Sequence, residues 1–196
     1  MTIKRNFIRA LVAAVAACTL GPAFAQDQES SLARVQRTHV LRVGAIAGAI
    51  PYFAKDPGTG KWEGFGPDFG ESLAKSLGAK VEYVETTWGN AVLDLQSNKI
   101  DAMFGLAPSP QRAAMVNFAD TLFENTYTVV CKKGVPQKSW EQLNTPETKI
   151  VVDIGSSHDQ LAQRVLPKAD VTRLENSGAA TMSLQAGRAD CQVLVI

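Results

Sequence analysis

The sequence predicts an α/β fold built from two units of like topology. Runs rich in β-branched residues alternate with segments of helical periodicity, which is the pattern of parallel strands joined by crossover helices. A polar connection over residues 132–147, carrying Gly134, Pro136 and Pro146, interrupts the alternation, which then restarts. Residues 89–102 also lie over residues 178–191 without a gap, with Gly, Ala, Leu, Gln and Asp coinciding at five places.

The first unit opens with a β-rich run over residues 40–45, followed by a Gly/Pro-punctuated loop or hairpin over residues 50–63. Phe69, Leu73, Ala74 and Leu77 give residues 68–77 a helical face, and Gly78 stops that helix. A strand over residues 81–85, a helix over 90–97 and a strand over 101–106 follow. A strand over residues 126–131 then leaves the first unit. Beyond the connection come a strand (150–153), a helix (157–165), a strand (171–174), a helix (179–186) and a strand (190–195).

Composition narrows the function classes. The chain has 196 residues, 45% hydrophobic and 20% charged, with a net charge of +1, so it offers no basic field for nucleic acid. Lys4, Arg5 and Arg9 precede an apolar run, and Ala23-Phe24-Ala25 supplies small residues before Gln26, which reads as a signal peptide cleaved after Ala25. An alternative places lipidation at Cys18, within Val15-Ala16-Ala17-Cys18. Beyond residue 25 no run is long and apolar enough to span a bilayer. Cleavage leaves 17 basic against 19 acidic residues, a mature charge near −2. Cys131 and Cys191 could pair in an exported chain, but both lie in strand-like runs, and the reading is two buried thiols. No residues have metal-ligand spacing, and no cofactor is expected.

Arg112 is the first candidate for chemistry. In Gly105-Leu106-Ala107-Pro108-Ser109-Pro110-Gln111-Arg112, Ser109 reads as a helix N-cap and Pro110 as the first helical residue. Arg112 then sits in a first turn at the end of a strand. A guanidinium there offers a carboxylate two parallel charge-assisted bonds, beside backbone N–H groups that also favour an anion. Gly155-Ser156-Ser157 opens a second helix in the same way. Ser157-His158-Asp159 is no hydrolase triad, because neighbours in sequence point in different directions and triads are assembled from spatial partners. His158 is expected on the surface of a first helical turn, and His39 at a strand edge.

Leu41-Arg42-Val43-Gly44, Gly64-Phe65 with Asp68 ahead of a helix, Trp88 before a Leu-Gln helix, Lys99-Ile100-Asp101, Ser109-Pro110-Gln111-Arg112, Val116-Asn117-Phe118 and Gly155-Ser156-Ser157 together carry a resemblance. In order and spacing they resemble the family 3 extracellular solute-binding proteins, periplasmic receptors for polar amino acids and related compounds that serve ABC importers. The resemblance implies a two-lobed type II periplasmic binding protein fold, each lobe a mostly parallel sheet flanked by helices, with lobe 1 over residues 26–130 and lobe 2 over residues 131–196. It implies a periplasmic monomer whose partners are a small carboxylate or amino-acid ligand and the permease subunits of an ABC transporter. It implies a ligand in the cleft, its carboxylate held by Arg112 of one lobe and by Ser157 with Ser156 of the other. Trp88, Gly105, Ala107 and Tyr52 complete the expected ligand-binding set. No catalytic residue is expected, and the hinge is expected to include residues 128–133.

Three departures from the family pattern concern the ligand's ammonium group. The family usually has Ser or Thr five residues before the Arg, where this chain has Ala107. An aromatic residue usually stands two before the first-loop Pro, where this chain has Ala49, with Tyr52 and Phe53 just after. The Asp that pairs with the ammonium usually lies five beyond the Gly-Arg-x-Asp aspartate, where this chain has Val195. The expected ligand is therefore a small organic acid without a conventionally held α-ammonium. The runner-up is the cyclohexadienyl dehydratase branch of the same fold, which needs a general acid over the ring; Glu124 and Asp159 are the available carboxyls. The sequence stops at Ile196 inside a strand, before the return to lobe 1 that the family makes. It is read as a fragment or truncated product with uncovered strand edges, weak binding and a tendency to aggregate.

Overall fold

The computed structural model describes residues 29–136 and 139–195. The leader expected over residues 1–25, Cys18 with it, and the final Ile196 lie outside the described residues. From Ser31 onward the chain forms one compact unit whose described residues contain a three-stranded sheet, a four-stranded sheet and a small two-stranded hairpin.

Helix α1 (Ser31–Thr38) leads into β1 (Val40–Ala45). A small hairpin of β2 (Ala54–Lys55) and β3 (Trp62–Glu63) precedes α2 (Phe65–Ser76), then β4 (Lys80–Glu85), α3 (Ala91–Gln96) and β5 (Ala102–Met103). The first sheet is parallel throughout, in the order β4-β1-β5. Parallel strands buried on both faces need helices above and below. Here Val35 of α1 and Ala74 of α2 pack with Leu41 and Val43 of β1.

A one-turn helix, α4 (Pro110–Ala113), precedes β6 (Tyr127–Cys131). Then follow α5 (Trp140–Leu143), β7 (Lys149–Asp153), α6 (Ser157–Val165), β8 (Asp170–Leu174), α7 (Ser177–Gln185) and β9 (Cys191–Val195). The second sheet has the order β6-β9-β7-β8, with β7 parallel to both neighbours and β6 antiparallel to β9. Thus β6, which the sequence reads as leaving the first unit, is laddered along its whole length into the second sheet, and residues 128–131 of the expected hinge are fixed there. Backbone bonds between residues outside the regular elements resume only at Lys132 after Val116, so residues 117–126 form the bridging segment.

The internal repeat is structural. Asp101 donates its N–H to the Arg42 carbonyl at 2.8 Å and accepts the Arg42 N–H on its carboxylate at 2.8 Å. Asp190 makes the same exchange with Lys149, at 2.7 Å and 2.9 Å. Each aspartate closes a helix-to-strand connection onto the first parallel strand of its own sheet. Asp101 also receives the guanidinium groups of Arg34 and Arg42, and Asp190 the Lys132 ammonium at 2.6 Å.

Several expectations need correction. Cys131 and Cys191 are not free thiols; they are a directly opposed pair of the β6–β9 ladder and form a disulfide. Strand propensity identified both runs but not their pairing. The strand expected over residues 101–106 shrinks to β5, and the helix expected from residue 68 starts at Phe65. Residues 31–38 and 140–143 are helical although no signal was read there. His158 is in a first helical turn as expected, but buried, only 6% exposed.

Candidate functional site

The site is assembled where the loops leaving the two sheets meet. Ser109 caps α4 as its sequence predicts, its hydroxyl accepting the Arg112 N–H at 3.2 Å. That cap turns the Arg112 side chain inward, and the residue is 7% exposed. Its Nη1 donates to the Ala107 carbonyl and its Nη2 to the Gly155 carbonyl of the other lobe, both at 2.8 Å. Neither partner is charged, and the ion pairs among the described residues include none to Arg112. Burial pushes the guanidinium below its ordinary pKa, partly offset by the nearby Tyr127 phenol. A buried cation without a counter-ion is unfavourable, and these two bonds use two of the about five donors of a guanidinium.

Aromatic residues line the same place. Tyr52 and Trp88 are buried and meet edge to face, with ring centroids 6.2 Å apart. Phe123 also stacks on Tyr52, with ring centroids 5.7 Å apart. Burial pushes the Tyr52 phenol up, and a hydrogen bond with Asn125 works against that. Gly105 stands against both rings: a Cβ there would be 3.0 Å from Tyr52 and 3.4 Å from Trp88. Val195 packs against the apolar core cluster that includes Tyr52 and Trp88, and is the cross-strand partner of Tyr127.

From the second lobe comes the tip of α6. The Ser156 hydroxyl accepts the Asp159 N–H at 3.0 Å and donates to the Asp153 carbonyl at 2.8 Å, so it serves as the helix cap. Ser157, next along, is half-buried. Beneath the tip, His158 Nε2 contacts the Asp153 carboxylate, which also accepts the Ser177 hydroxyl at 2.7 Å. Burial alone would lift the Asp153 carboxyl; the bond to His158 holds it below its ordinary value. His158 is thus tied to Asp153 rather than to Ser157, which disposes of a triad. Asp159 bonds Arg173 at 2.8 Å, Gln163 at 3.1 Å and the Gly155 N–H at 3.0 Å.

The lobes touch closely at glycines. Gly155 has φ +74°, and a Cβ added to it would lie 2.6 Å from the Gly89 Cα. A Cβ on Gly48 would come within 3.2 Å of Gly178. A separate cavity of about 210 Å³ opens between Thr87, Asn90 and Lys99 on one side and Glu175 and Asn176 on the other. Arg112, Tyr52, Trp88 and Val195 do not line it. The structure therefore brings Arg112, Ala107, Gly105, Trp88, Tyr52 and the Gly155–Ser157 tip into one neighbourhood. Sequence reasoning missed the Gly155 carbonyl and Gly89, although Gly89 and Gly178 head the two copies of the repeat. It also missed Phe123, whose neighbourhood has no periodic signal.

Known proteins are similar to this chain in sequence and fold. The cyclohexadienyl dehydratase of Pseudomonas aeruginosa is 30% identical over 191 residues, covering 96% of this chain and 71% of that protein. The ABC transporter glutamine-binding protein of Bacillus subtilis is 28% identical over 174 residues, covering 87% and 63%. The crystal structure of an ancestral amino acid-binding protein, a precursor of cyclohexadienyl dehydratase, superposes with a TM-score of 0.80 at 37% identity, covering 85% of this chain and 74% of that one. Its solved structural neighbours carry the two-lobed type II periplasmic binding fold. The chain thus spans about two thirds of the length of the curated relatives it matches. Residues 41–183 match a single family over most of the chain, which belongs to the bacterial extracellular solute-binding proteins, family 3.

Proposed function

We propose that this protein is a periplasmic solute receptor that takes an amino acid or related small carboxylate and delivers it to an ABC importer by closing its cleft. One observation carries the reading: Arg112 is a buried cation between the lobes, bonded to two neutral carbonyls and, among the described residues, to no acid. A guest carboxylate supplies the missing charge and gains a bidentate bond. The Ser157 hydroxyl and the first-turn N–H groups of α6 grip the same anion from the other lobe. Tyr52 and Trp88, with Gly105 and Ala107 between them and the guanidinium, enclose the body of the guest. Because the guest contacts both lobes, it favours the closed arrangement by its differential affinity for that state. The family and the binding proteins among its relatives support this reading.

The similarity to a dehydratase supports a second reading, catalysis in the same cleft. That chemistry needs a carboxylic acid free to move a proton. Asp159 is occupied by Arg173, Gln163 and the Gly155 N–H, and Glu124 is exposed, so the receptor reading is preferred. Calorimetric titration with a panel of amino acids and small organic acids, on wild type and Arg112→Met, tests it. Guests that bind wild type and not the variant support the receptor; binding indifferent to the variant removes it.

A further inference from the structure

We infer that Tyr52 ties the guest site to the bridging segment between the lobes, and that Phe123 and Asn125 of that segment set how far the cleft opens. The inference rests on the receptor reading and adds how the same site is regulated. Residues 117–126 lead from the first lobe to β6, which starts at Tyr127, and nine of those ten residues are exposed. The exception is Phe123. Its ring is seated in the first lobe, stacked on Tyr52 at 5.7 Å and on Phe69 of α2 at 6.4 Å, with Phe65 at 6.4 Å. Two positions further on, Asn125 hydrogen-bonds the Tyr52 phenol. Tyr52 therefore holds the bridging segment twice, by its ring face and by its hydroxyl. Tyr52 is itself fixed in the first lobe: it is buried, its carbonyl accepts the Gly66 N–H of α2 at 2.9 Å, and its ring meets Trp88 edge to face.

The seat of Phe123 divides the segment. While the ring is seated, the path from Phe123 to Tyr127 reaches at most about 14 Å end to end, which keeps β6 close to the first lobe. Once the ring is lifted out, the whole segment pays out and the lobes swing wider. The segment thus has a short, clamped state and a long, released one. Tyr52 belongs both to the clamp and to the enclosure of the guest. A guest packed on Tyr52 and Trp88 fixes the ring on which Phe123 stacks, and so favours the clamped state. By linkage the clamp raises guest affinity by the same factor.

Nitroxide labels on Ser76→Cys of α2 and Arg164→Cys of α6, one exposed position in each lobe, read the lobe separation by double electron-electron resonance. Without guest, Phe123→Leu, Asn125→Ala and Tyr52→Phe should each shift the distance distribution toward longer separations. Distances that match the parent in all three overturn the inference and leave the receptor reading standing. Asn125 is exposed, so Asn125→Ala decides this even if Phe123→Leu does not fold. Calorimetric titration with L-glutamine, L-arginine and hydrocinnamate reads the guest side. Affinity for those that bind should fall about three- to tenfold in Asn125→Ala, with no further loss when Asn125→Ala is added to Tyr52→Phe. Additive losses show two residues acting apart and overturn the coupling. Binding that ignores Arg112→Met, or no binding of any of the three, removes the receptor reading and the inference together.

Discussion

Arg112 and Gly155 are 43 residues apart in the chain, yet the Arg112 guanidinium donates to the Gly155 carbonyl at 2.8 Å. This bond joins the loop that follows the first sheet to the helix tip that follows β7. It makes the same side chain a latch between lobes and a candidate anion receptor.

A lysine cannot do both. Its three donors sit on one nitrogen rather than on a planar fork, so it cannot span the two carbonyls while presenting a bidentate edge. Arg112→Lys should keep its circular dichroism spectrum and lose small-carboxylate affinity by about 10- to 100-fold, the range of one charge-assisted bond. Isothermal titration measures the ratio.

The two glycines at the lobe contact should respond unequally. Gly155→Ala forces a side chain into a left-handed backbone conformation and into the Gly89 Cα at 2.6 Å, so it should destabilise by about 1–3 kcal/mol and hold the lobes apart. Gly89→Ala meets nothing nearer than the Ile154 carbonyl at 3.6 Å and should be close to neutral. Chemical denaturation and small-angle scattering of the two variants check the asymmetry.

Opening the disulfide should weaken the second lobe. The bridge closes a loop over a sequence separation of 60 residues, for which the chain-entropy relation gives roughly 4 kcal/mol as an upper figure. Reduction with dithiothreitol, or Cys131→Ser with Cys191→Ser, should lower the melting temperature by about 8–15 °C, read by differential scanning calorimetry.

Acid should unfold the protein through its paired aspartates. Burial alone would lift the Asp101 carboxyl, but bonds from Arg42 and Arg34 hold it below its ordinary value of 3.8. Asp153 is likewise held down against burial by His158, and Asp190 chiefly by Lys132. A carboxyl depressed in the folded state contributes stability that is complete above its unfolded pKa and is lost as pH falls through the folded one. Urea midpoints should therefore hold from about pH 7 to 5 and fall below about pH 4. Asp101→Asn should remove about 3 kcal/mol at neutral pH, since the Asp101 side chain is 2% exposed and its two arginines would lose their counter-ion.

The sequence made the alternating elements legible because their apolar periodicity is local. β1 and α6 were read with the boundaries they have, and Ser109 was read as the cap it is. The disulfide was not legible, because cross-strand partners are set by register rather than by neighbouring residues. α1 was missed because Val35 alone is buried on it and its anchor, Arg34 on Asp101, spans 67 positions. At the site, Arg112 announced itself through its turn. The neutral carbonyls that hold it could not, since any residue carries one. His158 looked like a surface residue because the acid that buries it lies on the preceding strand.

β6 is riveted to the second sheet by its ladder, by the Cys131–Cys191 bridge and by Lys132 on Asp190. Within the described residues, a swing of one half against the other falls on the ten or so residues before Tyr127. Among the described residues that segment is the covalent tether between the two sheets, and it reaches at most about 33 Å when drawn taut.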